Sequence, residues 1–189
     1  MTTQPQARLL TAEAFTQLPE DGRRHEPVNG VLKEVSRSEP IHGLVGALLA
    51  AHLVRHAVPR RLGKVFSDVG FVLRRKPDTL QAPDVAFVAA ARLADHDLNE
   101  NFVGAPDLAI EIAFADKVTN KALSKIEEYF EAGARAVWIV YPERRKVYAY
   151  SDPNRVQIVL ADGMLTGSDN LARSQLGSSR TFQRSGRLT

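Results

Sequence analysis

The chain has 189 residues, 44% hydrophobic and 25% charged, which is enough for one buried core and is typical of an ordinary soluble domain rather than a disordered or fibrous chain. It contains no cysteine, so disulfides, thiolate metal sites and cysteine nucleophiles are excluded and any metal must sit on oxygen or nitrogen. The formal net charge is +3, but residues 173–189 hold four arginines (Arg173, Arg180, Arg184, Arg187) and no acid; the preceding 172 residues therefore sum to 3 − 4 = −1, which does not support broad phosphate coverage by the folded part.

In chain order, Thr11 followed by AEAFTQL, with Glu13 in the first turn, predicts a short helix capped by Thr11 and stopped by Pro19. HEPVNGVLKEV carries Asn29-Gly30 between extended runs, which predicts a hairpin over 23–37, and Pro27 confines its first strand to an edge or a strand start. From Pro40 to about Val58, Ile41, Leu44, Val45, Leu48, Leu49 and Leu53 recur at helical spacing, a first long helix bounded by Pro40 and Pro59. GKVFSDVGFVL, QAPDVAFVAA and PDLAIEIAF then read as three strands at the centre of a sheet.

TNKALSKIEEYFEA, residues 119–132, predicts a second helix capped by Thr119 or Asn120 and ended by Gly133. RAVWIVYP follows as an apolar strand, with antiparallel additions at KVYAYS, RVQIVL and MLTG. The order predicts an α/β fold, a mixed β-sheet flanked by helices with an N-terminal hairpin extension, in which the strands on either side of the second helix form a βαβ crossover. Residues 1–172 read as one domain and 173–189 as an irregular basic tail. The N-terminus lacks a basic start followed by an apolar core, and the longest apolar run, Leu44 to Val54, is too short to span a bilayer and contains His52; no membrane attachment and a cytoplasmic location are expected.

Strand alternation in PDLAIEIAF sets Leu108, Ile110 and Ile112 on one face and Asp107, Ala109, Glu111 and Ala113 on the other. In APDVAFV it groups Asp84, Ala86 and Val88 opposite Val85 and Phe87. A carboxylate inside so apolar a run costs several kcal/mol unless it is paired, protonated or bound to a cation. Two carboxylates on neighbouring strands, with small alanines beside them, suit a hard divalent ion, Mg²⁺ or Mn²⁺, with room for waters and a phosphate. The same acids also suit a turn cap after Pro83 and a surface ion pair.

In the second helix, a core stripe on Ala122, Leu123, Ile126, Tyr129 and Phe130 leaves Lys125 about 100° from the stripe's centre, at its edge and able to reach inward. Lys121 falls about 140° away and Lys117 about 180°, both better suited to solvent. No GxSxG, GxxxxGK[ST] or GxGxxG is present, and the five histidines show no HExxH spacing, which sets aside serine, P-loop, dinucleotide and zinc chemistry.

RRHEPVNGVL, IHG, APDVAFV, PDLAIEI and KIEEYFEAGARAVWIVYPERRKVYAY, in this order over about residues 10–165, resemble the Uma-type restriction endonuclease family of the PD-(D/E)XK nuclease superfamily. The resemblance implies a PD-(D/E)XK core and a Mg²⁺-dependent phosphodiesterase acting on DNA, with Asp84 and Glu111 as metal carboxylates. It also implies that Lys125 replaces the lysine usually found two residues beyond the second acid, where this chain has Ala113, and that Glu26 joins the site. His42 matches a family position and reads equally as a helix-start or packing histidine. Three features depart from the family: IAFADK follows Glu111 in place of a Ser-Pro-Ser turn, Tyr141 replaces an Asp before Pro142, and the Leu-Pro-containing ending is absent. An alternative is a non-catalytic nucleic-acid or protein interaction module on the same fold, supported by Ala113 and the nearly neutral body. A homodimer is expected, because double-strand cleavage needs two sites or two visits and an edge strand such as KVYAYS could pair between subunits.

Overall fold

The computed structural model describes residues 9–19, 24–35, 39–94, 96–114, 120–160, 164–165 and 176–177. Thr119, Lys117, the Lys121 side chain and the four tail arginines lie outside the described set. Helix α1 (Ala12–Thr16) begins as its sequence dictates, with the Thr11 side chain accepting from the Ala14 N–H. Strands β1 (Arg24–Val28) and β2 (Val31–Val35) pair antiparallel across the Asn29-Gly30 turn, where both residues take positive φ as a two-residue hairpin of this kind requires.

Helix α2 (Pro40–Ala57) buries Val45, Leu49, Leu53 and Ala57, a strict four-residue spacing that leaves Leu44, expected inside, exposed. Strands β3 (Gly63–Phe66), β4 (Phe71–Arg74), β5 (Thr79–Gln81) and β6 (Val85–Ala89) follow, then the short helix α3 (Ala90–Leu93) and strand β7 (Phe102–Val103). GKVFSDVGFVL is thus two strands rather than one, since Asp68 turns the chain at a φ of 57° and sends β4 into a separate sheet. Strand β8 (Leu108–Ile112), helix α4 (Asn120–Glu131) and strand β9 (Ala136–Tyr141) form the expected βαβ unit, with β8 and β9 parallel. Gly133, at a φ of 98°, lets the Ala134 N–H fold back onto the Tyr129 carbonyl and end α4. Strands β10 (Lys146–Asp152) and β11 (Arg155–Leu160) add antiparallel, and β12 (Met164–Leu165) pairs with β13 (Leu176–Gly177).

The main sheet runs β11-β10-β9-β8-β6-β3, mixed in direction, and a three-stranded sheet runs β5-β4-β7. KVYAYS is therefore not an edge: β10 lies between β9 and β11, because RVQIVL adds outside it, and the edges of the sheet are β11 and β3. One face of the main sheet (Val85, Phe87, Leu108, Ile110, Trp138, Val140) packs on α2, and the other (Ala109, Val137, Ile139) on Ile126 and Tyr129 of α4. Each fully buried aliphatic side chain in these layers contributes about 1.5–3 kcal/mol. Ala86 and Val88, on the α4 side, meet Phe71 and Phe102 of the smaller sheet.

Asp107, 3% exposed, ties the layers together. Its carboxylate accepts from the Ala89 N–H at 2.9 Å and lies 3.4 Å from both Arg92 and Arg135. Asp78 does the same for the N-terminal elements, accepting from the Ala12 N–H at 3.0 Å and from Arg75 at 2.8 Å. No helix is long and apolar enough to cross a membrane among the described residues.

Candidate active site

Strands β6 and β8 run antiparallel with Val85 opposite Ile110 and Ala86 opposite Ala109. Continuing that register one step sets Asp84 opposite Glu111 on the same face, where directly facing side chains have Cβ atoms about 5 Å apart. Asp84 stands just before β6, where Pro83 delays the strand, so its carboxylate is free to cap the neighbouring strand: Oδ2 accepts from the Ile112 N–H at 2.7 Å. Nε2 of His42, in the first turn of α2, lies 3.2 Å from the same oxygen, and its ring leans on Phe114 at 5.9 Å.

Glu111 is held from the helix side. Lys125 Nζ donates to both of its oxygens at 3.1 Å, and the Tyr129 hydroxyl donates to Oε1 at 2.8 Å. Lys125 and Tyr129 are four residues apart on α4 and so share the face turned to β8. Glu26, 7% exposed on β1, stands close enough for its charge to act on Lys125, with which it lines a common cleft.

The four sequence-nominated residues Asp84, Glu111, Lys125 and Glu26 are thus brought to one end of the main sheet. His42, kept off the catalytic set, and Tyr129, read as core, join them. Nothing local distinguishes either from a packing residue, although the four-residue step from Lys125 to Tyr129 is a signal once Lys125 is turned inward.

Electrostatics follow from burial and crowding. Asp84 and Glu111 are each 17% exposed at the side chain. Burial, and then the charge of Glu111, push the Asp84 carboxyl up to about 6, against the opposing effects of the Ile112 N–H, His42 and Lys125. Burial alone would lower the Lys125 ammonium, yet Glu111 and then Glu26 outweigh it and hold it above the usual lysine range. Burial and the Glu111 charge push the Tyr129 hydroxyl well up, so it serves as a neutral donor.

No three His, Asp or Glu side chains converge on one metal position among the described residues; a metal at this site would have the carboxylate pair as its protein donors. That set fits a small hard cation, which takes one or two carboxylates and fills its other positions with water and phosphate oxygen. Burial lifts Asp84 first and the charge of Glu111 adds to it, and a divalent cation held by the pair would relieve that second effect.

The Uma2 family model, described as "putative restriction endonuclease", matches residues 12–177. A crystal structure described as a "putative nuclease belonging to DUF820", from Anabaena variabilis ATCC 29413, superposes with a TM-score of 0.78 at 19% identity. The alignment spans 93% of this chain and 99% of that one, which establishes a shared fold. No curated protein matches the chain.

Proposed function

Because the chain belongs to the Uma2 family and sets two carboxylates side by side with a lysine on one of them, we propose that it is a metal-dependent endonuclease hydrolysing DNA phosphodiester bonds. The observation that carries this reading is the cross-strand pairing of Asp84 with Glu111, with Lys125 3.1 Å from the latter. Asp84 and Glu111 would hold Mg²⁺ or Mn²⁺, which when bound polarises the scissile phosphate and lowers the pKa of a water.

The chain's own residues do the rest. His42 and the Ile112 N–H fix Asp84 from one side, while Tyr129 fixes one oxygen of Glu111, so both carboxylates are preorganised before any ligand arrives. Lys125, kept protonated by Glu111 and Glu26, is a cationic donor beside them that orients the attacking water or neutralises charge building on the phosphate. Its place on α4 supplies the ammonium that Ala113 cannot. The protein acts as a cytoplasmic homodimer in this reading, with β11 as the edge available for pairing.

A non-catalytic nucleic-acid or protein interaction module is the second reading, favoured by Ala113 and by a lysine that neutralises Glu111 without a metal. Purified protein incubated with plasmid and Mg²⁺ or Mn²⁺, beside Asp84→Ala and Glu111→Ala, separates the two. Nicking that disappears in both variants is expected; cleavage indifferent to both substitutions removes the site assignment, and salt-dependent binding without nicking supports the module.

A further inference from the structure

Helix α2 has no polar outer face. Its buried residues Val45, Leu49, Leu53 and Ala57 pack on the main sheet, and at 100° per residue every exposed position from Pro40 to the cap Val58 falls in one opposite sector about 120° wide. Within that sector Arg55 is the one charged residue; the others are apolar or glycine. Leu44, Val54 and Val58 are 42%, 42% and 51% exposed. A helix on the surface of a domain turns charged and polar side chains outward, whereas one that is apolar all round is buried on both sides. The sheet buries only one side of α2.

The outer sector has the spacing of a helix-pairing seam. Leu44, Ala47, Ala51, Val54 and Val58 follow one another at steps of three, four, three and four, the pattern that keeps an apolar line facing a partner helix. The sector is also its own complement. Turned end for end about the level between Ala47 and Ala51, it sets Ala47 against Ala51, Leu44 against Val54, Pro40 against Val58 and Gly43 against Arg55, so each exposed position meets another of the same set. That reciprocity is what an interface between two identical chains on a twofold axis requires. Small residues stand at the centre, where two helix backbones come closest, and larger ones on either side.

Gly43 and Arg55 add a second, independent sign. A Cβ placed on Gly43 would meet nothing within 4 Å, so the fold of one chain gives no steric reason for a glycine, which is unfavourable inside a helix. In the paired arrangement the Arg55 side chain of the other copy crosses that open space. One helical turn further along stands Glu39, exposed at the N-cap of α2, so the cation of each copy approaches an acid of the other.

We propose that α2 pairs antiparallel with α2 of a second copy of this chain, across a twofold axis at the level between Ala47 and Ala51. The proposal rests on the homodimer of the reading above and names its seam, on α2 and not on the β11 edge; it is independent of whether the chain cleaves DNA. A single seam about 27 Å long is smaller than the usual ~800 Å² per partner, so the dimer should be of micromolar rather than nanomolar strength.

The test is sedimentation of the full chain over about 1–500 µM, a range chosen for so small an interface, with wild type, Ala51→Glu, Gly43→Phe and Ile158→Lys. Wild type should dimerise; Ala51→Glu, which sets a carboxylate at the closed centre, and Gly43→Phe, which fills the space of Arg55, should each weaken the dimer at least about tenfold. Ile158→Lys, on β11, should leave it unchanged. Both Ala51 and Gly43 are exposed in the single chain, and thermal unfolding checks that the variants remain folded. Because the chain has no cysteine, a second measurement fixes the register even if a variant does not fold: Leu44→Cys and Val54→Cys proteins, mixed and oxidised, should form a disulfide-linked heterodimer faster than either forms a homodimer alone. A wild type that stays monomeric throughout overturns the homodimer and the seam together. A dimer that Ile158→Lys dissociates while Ala51→Glu and Gly43→Phe do not, or a mixture with no preference for the heterodimer, overturns the seam and leaves the homodimer standing.

Discussion

Replacing Asp84 by Asn should stabilise the metal-free protein at neutral pH and abolish its response to metal. The carboxyl of Asp84 titrates near 6 in the fold, above the ordinary aspartate range of the unfolded chain, because it is buried and faces Glu111. A group raised in this way favours the folded state while it is protonated. Its contribution is fully present below the unfolded value and is lost as pH rises through about 6. Above that point the ionised side chain costs up to about 3 kcal/mol relative to a neutral isostere that still accepts from the Ile112 N–H. For a chain of this length that corresponds to about 6–12 °C in Tm. Thermal unfolding in EDTA from pH 4 to 8 should show Asp84→Asn above wild type at pH 7–8 and the two converging as pH falls below about 4. Saturating Mg²⁺ should then raise wild type by about 2.7 kcal/mol at a hundredfold excess over Kd, and the variant by much less. A variant less stable than wild type in EDTA at pH 8, or an equal response of both proteins to Mg²⁺, refutes the crowded-carboxylate reasoning.

Lys125→Met should lower cleavage by about 10²–10³ while retaining the Mg²⁺-induced rise in Tm, because the lysine acts on charge at the phosphate rather than on the metal; kinetics and thermal unfolding on one sample check both. Tyr129→Phe removes the 2.8 Å donor to Glu111 and should cost about 1–3 kcal/mol by chemical denaturation, with a cleavage loss smaller than that of Lys125→Met. Asp107→Ala leaves the Ala89 N–H unpaired and should also cost about 1–3 kcal/mol. It should leave metal binding intact, since Asp107 is about 13 Å along β8 from Glu111; calorimetric titration with Mn²⁺ provides that readout.

Where one local rule is sufficient, the chain announces its structure. Asn29-Gly30 specifies a turn that few other residues can make, Pro40 and Gly133 bound helices for steric reasons, and the alternation in PDLAIEIAF follows from the pleat of β8, which points successive side chains to opposite faces. The same alternation placed the Asp84–Glu111 pair, and helical geometry turned Lys125 toward it. What stayed hidden depends on distant partners. GKVFSDVGFVL has the propensity of one strand, and only Asp68 in a left-handed conformation and the meeting of β4 with Phe102 split it. β10 looked like an edge because nothing in KVYAYS reveals that RVQIVL will cover it. His42 and Tyr129 are separated from their carboxylate partners by 42 and 18 residues, and each satisfies the local pattern of a packing residue.

The Asn29-Gly30 turn does more than reverse the chain. Gly30 donates to the Asp78 carbonyl at 2.7 Å and accepts from the Leu10 N–H at 2.8 Å, the Asn29 N–H reaches Thr79 at 3.2 Å, and an added Cβ at Gly30 would press to 2.7 Å against Leu9. The hairpin is therefore anchored at its turn as well as along β1, which lies against β5 and carries Glu26 toward Lys125. The joint that holds the turn is made from Leu9 and Leu10, just ahead of α1, and from Asp78 and Thr79 where the β4–β5 turn enters β5. Loosening that joint would detune the site from a distance, without altering a single group in it.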